Sequence, residues 1–245
     1  MRTPKRWSIA CMAAVLLSGL SADARTLRFG GYDWTIRSGQ GGPGPNRWDE
    51  SNVWLDDAGF LHLKVRHRDG VWTCAEVTLQ QRLGFGRYQF QIEGPIDRLD
   101  PNVVLGLFNY PTSDVGADAT HEIDIEFARW GNPKFPIGNF TVWPVEKTLK
   151  PTSSTFEFRL TGIGSTHRFE WTPTQVRYLS LQGWRDDDQE RIHSWNYAPS
   201  DPAQRISQRP LPLHLNLWLF RGQPPTDQQE VEIVVRSLRF TPTGG

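Results

Sequence analysis

The chain has 245 residues, 12% of them aromatic, with 11 Trp, 22 Gly and 18 Pro. That length supports a sizeable core, and the composition is unlike the Ala-, Glu-, Lys- and Leu-rich make-up of helical bundles and coiled coils. Lys and Arg together number 27, as do Asp and Glu, so no excess positive charge is left to neutralise a phosphate backbone or an anionic bilayer and a nucleic-acid partner is not expected.

Residues 1–24 read as an export signal. Arg2, Lys5 and Arg6 make a basic start, Ile9 to Leu20 form an apolar stretch too short for a stable bilayer span, and Ala22-Asp23-Ala24 supplies the small residues a signal peptidase accepts. The expected mature protein is a secreted or periplasmic monomer of residues 25–245, with no membrane association after cleavage. Cys11 falls inside the apolar stretch, which leaves Cys74 alone in the mature chain. No intramolecular disulfide can then form, and Cys74, between Thr73 and Ala75 in a strand-like run, reads as a small buried apolar residue.

Beyond the signal, short strand-like runs alternate with turn residues every eight to twelve positions or so, the pattern of an all-β sandwich or barrel. Leu61, Leu63 and Val65 alternate with His62, Lys64 and Arg66 between two turn signals, Asp56-Asp57-Ala58-Gly59 and Arg68-Asp69-Gly70. Further strands are predicted at 71–80, 87–93, 103–109, 137–143, 155–160, 167–172, 175–181, 211–220 and 230–240. Residues 184–210, with Asp186-Asp187-Asp188 and several prolines, read as a long surface loop. No repeat or linker divides the chain, and a single antiparallel β-sandwich of a dozen or so strands, a jelly roll, is the economical architecture.

The chemistry concentrates at His121-Glu122-Ile123-Asp124-Ile125-Glu126-Phe127. Strict alternation sets Glu122, Asp124 and Glu126 on one face and Ile123, Ile125 and Phe127 on the other. Three like charges along one strand face repel each other and go against strand propensity, a local cost of the kind found at functional sites. Two other readings are an acidic solvent-exposed face and a divalent-cation site, although the loop that wraps oxygens around calcium is missing. A zinc-protease motif fails because position 125 is Ile rather than His. Carboxylates in line suit glycosidic bond cleavage, which needs one carboxylate facing the anomeric carbon and one carboxylic acid facing the leaving oxygen; crowding supplies that asymmetry by holding a proton on at least one member. Glu122 and Glu126 have Cα atoms about 13 Å apart in an extended strand, whereas a retaining pair needs carboxyls about 5 to 5.5 Å apart, so both must lean inward over Asp124.

The strand Glu122-Ile123-Asp124-Ile125-Glu126 resembles the signature of the family-16 glycoside hydrolases in its regular form without a bulge, as in lichenases and xyloglucan-active members. Cys74-Ala75-Glu76, Gly84-Phe85-Gly86-Arg87-Tyr88 and Leu107-Phe108-Asn109-Tyr110 precede it, and His167-Arg168-Phe169-Glu170-Trp171 and Asn216-Leu217-Trp218 follow it, at similar spacings. The resemblance implies a concanavalin-like β-jelly roll with a cleft across its concave sheet and a secreted, endo-acting enzyme that cleaves internal β-glycosidic bonds of a polysaccharide with retention. It implies Glu122 as nucleophile, Asp124 as assisting carboxyl and Glu126 as general acid/base, with Glu76, Phe108, Tyr110, Asn139 and Trp218 contacting sugar and Trp130, Trp143 and Trp184 as outer subsites. No cofactor or catalytic metal is implied; a structural calcium occurs in similar proteins. Thr78 departs from the pattern, standing where lichenase-like members commonly carry a sugar-binding Arg. The alternatives are a transglycosylase on the same scaffold and a non-catalytic carbohydrate-binding jelly roll.

Overall fold

Alternating apolar and polar side chains fold residues 24–243, the part described by the computed structural model, into two antiparallel eight-stranded sheets and a small ladder. The expected signal, apart from Ala24, lies outside the described residues. In chain order the elements are β1 (Thr26–Phe29), β2 (Tyr32–Ile36), β3 (Gly39–Gly41), β4 (Asn46–Trp48), β5 (Val53–Leu55), β6 (Leu61–Arg68), β7 (Val71–Thr73), β8 (Ala75–Leu79), β9 (Gly86–Glu93) and β10 (Val103–Asn109). They continue with β11 (Ile123–Phe127), β12 (Gly138–Val142), β13 (Thr152–Phe156), β14 (Gly164–Trp171), β15 (Val176–Gln182), β16 (Arg191–Tyr197), the one-turn α1 (Pro202–Arg205), β17 (Leu213–Leu219) and β18 (Val231–Pro242).

One sheet runs β1-β2-β8-β17-β10-β11-β12-β13; the other runs β16-β15-β14-β9-β18-β6-β5, with β7 beside β6. This is the all-β jelly-roll sandwich that the alternation predicts. Ile123, Ile125 and Phe127 are fully buried and join one continuous core between the sheets. Aromatic contacts tie the layers together: Phe140 of β12 stacks on Tyr178 of β15 at 4.7 Å, and the Tyr178 hydroxyl donates to the Thr141 carbonyl at 2.9 Å. Burying such large rings is the main source of stability in a chain whose single described cysteine, Cys74, is free and buried.

The structure departs from the sequence reading in several places: the strand expected at 155–160 lies at Thr152–Phe156, and β1 to β5 form where none was expected. The run 71–80 is two strands, because the chain changes sheets at Cys74: β7 pairs with β6, whereas β8 pairs with β2 and β17. Period-two alternation continues across such a step, so it carries no sign of the change of layer. The polar segment 184–210 holds β16 and α1 rather than a loop alone. As an edge strand paired only to β15, β16 keeps much of its surface in water and lacks a clear apolar face. The acidic run before it is clamped onto the sheet by Arg168, buried, which donates to Gln89 Oε1 at 2.6 Å and to the carbonyls of Arg185 and Asp187 at 2.8 and 2.9 Å. Among the described residues, no helix is long and apolar enough to cross a membrane, and no group of three or more His, Cys, Asp or Glu is arranged to hold a metal ion.

Candidate active site

The register of the cleft-bearing sheet aligns its polar residues in rows across the strands. Glu76, Asn216, Gly106, Glu126 and Asn139 stand opposite one another on β8, β17, β10, β11 and β12, and Thr78, His214, Phe108, Asp124 and Thr141 form the next row. Their side chains point away from the core, and a cleft of about 690 Å³ opens over them. Gly106 is needed at its floor: a Cβ there would come within 2.5 Å of Asn216 Oδ1 and push the amide into the cleft.

Glu122 and Glu126 both line this cleft and Asp124 lies buried between them. β11 begins at Ile123, one residue after Glu122, because His121 adopts a left-handed backbone (φ 60°). Glu122 is nevertheless held in register, its carbonyl accepting from Trp143 N at 2.8 Å, while His121 is anchored by its Nδ1 at 3.0 Å from Ser207 Oγ. The Trp143 indole donates to Asp124 Oδ2 at 2.8 Å. Asp124 Oδ1 is buried with no donor among the described residues, so a proton placed between Asp124 and Glu122 satisfies it.

Although Glu122 and Glu126 open onto the cleft, their carboxyls sit deep in low-dielectric surroundings. Burial, then the charge of Glu126, push the Glu122 carboxyl up to about 8 against an opposing hydrogen bond from Asp124. Burial followed by the charge of Glu122 raises Asp124 well above the usual carboxylate range, and burial followed by the charge of Asp124 does the same for Glu126. The three therefore titrate as one unit that retains protons near neutral pH, with Asp124 donating to Glu122 and Glu126 holding a transferable proton.

The walls are aromatic and polar. Phe108 stacks on His214 at 5.1 Å and meets Tyr110 edge-on at 6.1 Å; the Tyr110 hydroxyl donates to Asp118 Oδ1 at 3.0 Å. Trp218 lines the opposite part of the cleft and meets Trp130 at 6.4 Å. Thus Glu76, Phe108, Tyr110 and Trp218 are brought to the cleft with the carboxylates. Asn139 is not among the lining residues: its amide donates to the carbonyls of Ala128 and Ile137 at 3.1 and 3.0 Å, and its Oδ1 accepts from the Trp130 indole at 3.4 Å. Trp143 also lines the cleft, its indole turned to Asp124, whereas Trp184 lies on the other sheet, its indole donating to the Ile92 carbonyl at 3.0 Å. Sequence reasoning missed Arg37, Asp118, His214 and Asn216 as lining residues. The alternation of Trp218, Asn216 and His214 on β17 carried a usable signal; Arg37 and Asp118 come from connections and carried none.

No family model matches the chain, and none of the curated proteins does. Solved structures share its fold. A β-glucanase of Bacillus licheniformis is 20% identical, with a TM-score of 0.62 over 86% of this chain and 92% of its own. An immunostimulatory antigen and pseudo β-1,3-glucanase of Mycobacterium tuberculosis is 18% identical, with a TM-score of 0.65 over 86% and 91%. A GH16 protein of the mixed linkage glucan PUL of Bacteroides ovatus, in complex with G4G4G3G product, is 13% identical, with a TM-score of 0.63 over 85% and 94%. The chain has the jelly-roll architecture of these glucanases.

Proposed function

We propose that this protein is a family-16 glycoside hydrolase, exported from the cell, that cleaves internal β-glycosidic bonds of a glucan-like polysaccharide with retention and without a cofactor. The observation that carries this reading is the strand Glu122-Asp124-Glu126 in one cleft, with an indole donor on its central carboxyl and aromatic walls around it. Aromatic faces suit the C–H faces of pyranose rings, and a cleft lying across the sheet suits a polymer bound along its length.

In the proposed reaction the Glu122 carboxylate forms a bond to the anomeric carbon while the glycosidic C–O bond breaks. The departing oxygen takes the Glu126 proton. A water then gives its proton to Glu126 as its oxygen displaces Glu122, which leaves free sugar and restores both carboxyls. Asp124 donates to Glu122 throughout and fixes its orientation, and its own free oxygen is covered by the same shared proton. A non-catalytic sugar binder has no use for three carboxyls of raised proton affinity, and replacing them by amides would remove their mutual repulsion. The test is reducing-end release by the purified protein on mixed-linkage β-glucan, laminarin, xyloglucan, agarose and carrageenan, with Glu122→Gln as control. Release by the native chain alone supports the reading and names the glycan; binding without release by either supports the lectin alternative.

A further inference from the structure

One corner of the cleft is built from residues to which the mechanism assigns nothing. The Arg37 backbone N–H donates to the Glu76 carbonyl at 3.0 Å, which places Arg37 beside β8 at the cleft's edge. Its Nη1 donates to Glu76 Oε2 at 2.9 Å, and its guanidinium lies 4.3 Å from the centroid of the Trp48 ring. The other oxygen, Glu76 Oε1, is 3.2 Å from His214 Nδ1, which is also 3.1 Å from Thr78 Oγ1. His214 is fixed from the other side by its stacking on Phe108.

Both oxygens of Glu76 are thus engaged by protein groups, and burial is more than offset by His214 and Arg37, which together keep its carboxyl below the usual range. The polar atoms they leave over are Arg37 donors and, with the His214 proton on Nδ1 toward Glu76, an Nε2 acceptor. Arg37 Nη2 and Nε and His214 Nε2 make no bond to any described residue, and both side chains line the cleft. The Arg37 side chain is 33% exposed, so its free N–H groups are open to a ligand, and a guanidinium held in place loses little entropy when it binds.

We propose that Arg37 and His214 are specificity-determining residues that hydrogen-bond the hydroxyls of a sugar unit remote from the bond that is cut, Arg37 donating and His214 Nε2 accepting, and that Glu76 is a positioning residue that holds the pair. The inference rests on the glycan-cleaving reading of the same cleft. Counting strands from β11 through β10 and β17 to β8 gives three inter-strand steps, roughly 14 Å, so the corner meets only substrates long enough to reach it. The sugar is uncharged. Arg37 is already neutralised by Glu76, and the carboxylates of Asp118 and Glu122 that also line the cleft repel a uronate or sulfated chain.

The test is a calorimetric titration of the full chain carrying Glu122→Gln, which holds substrate uncut, with β-1,3-1,4-gluco-oligosaccharides from disaccharide to hexasaccharide. Arg37→Gln, Arg37→Lys and His214→Gln are each added to it, and hydrolysis of the same series is followed in the chain with Glu122 intact. Each substitution weakens binding of the longer oligosaccharides about tenfold, the worth of one charge-assisted hydrogen bond, and leaves the shortest bound form unchanged. Arg37→Lys keeps the pairing with Glu76 and loses the second donor edge, so it separates sugar binding from a disturbed fold. Weakening that is equal at every length, no weakening, no binding of any member, or tighter binding of an oligouronate overturns the proposal. Binding of the series by a native chain that cleaves none of it overturns the hydrolase reading, and the dependence on length then still decides the role of Arg37 and His214.

Discussion

The two outward faces of this sandwich use the same alternating pattern and treat charge in opposite ways. On the face of β9, β14 and β18 each charge is matched: Arg236 donates to Glu93 at 2.7 Å, Arg239 to Asp186 at 3.0 Å, and the buried Arg168 distributes its N–H groups over a glutamine, backbone carbonyls and Asp188. On the cleft face Glu122, Asp124 and Glu126 are set side by side with one indole as their only neutral donor among the described residues, and no cation neutralises them. The first arrangement lowers the energy of the folded state. The second raises it and stores the difference as proton affinity, which is what acid/base chemistry needs.

The largest effect is expected where the stored repulsion is removed. Glu122→Gln should lower turnover by roughly 10³-fold or more, about 4 kcal/mol at 1.36 kcal/mol per decade, while its melting temperature stays level or rises. Reducing-end assays and a thermal scan read both; a variant that loses activity by unfolding would assign the strand a structural role. Glu126→Ala should lose roughly 10²- to 10⁴-fold on natural glycan yet keep cleaving aryl glycosides with acidic leaving groups, which need little protonation. Equal losses on both substrates would remove Glu126 from the acid role.

On the matched face the corresponding break is Arg168→Ala. It strands Gln89 and frees the acidic run, so we expect a loss of about 2 to 3 kcal/mol in urea denaturation, with activity retained at permissive temperature. The smallest effect is a slope. The set of Glu122, Asp124 and Glu126 holds its protons jointly, which pushes the Glu122 carboxyl from its ordinary 4.5 up to about 8. Between these values the folded chain keeps a proton that the unfolded chain has released, so the stability owed to this group is complete at low pH and falls as pH rises from about 4.5 to about 8. The melting temperature of Glu122→Gln should therefore gain on that of the native chain across this window, and parallel curves would show that Glu122 does not carry the raised proton affinity.

Much of this was legible in the chain. The parity of Glu122, Asp124 and Glu126 against Ile123, Ile125 and Phe127 placed the carboxylates on one face, and the turn at Asp56 to Gly59 closes as expected, with the Gly59 N–H donating to the Asp56 carbonyl at 2.9 Å. Asn139 shows the limit of parity. It shares the row of Glu126, yet its amide serves Ala128, Ile137 and Trp130, a choice set by how the connection between β11 and β12 folds back on it. The strands at 26–55 were not read because they are three to five residues long, with too few repeats to establish a period.

Local alternation and counting suffice for the all-β class, the crowding of three carboxyls on one strand face and the lack of a second cysteine beyond residue 25 to pair with Cys74. Which residues meet is a matter of the folded core. The step between sheets at Cys74 changes the layer the chain runs in, the Trp143 donor reaches Asp124 from 19 residues away, and the corner of Arg37, Glu76 and His214 joins segments 39 and 138 residues apart. Strand order and register are set by burial of the whole core, and a local pattern holds no information on which strand will lie next to it.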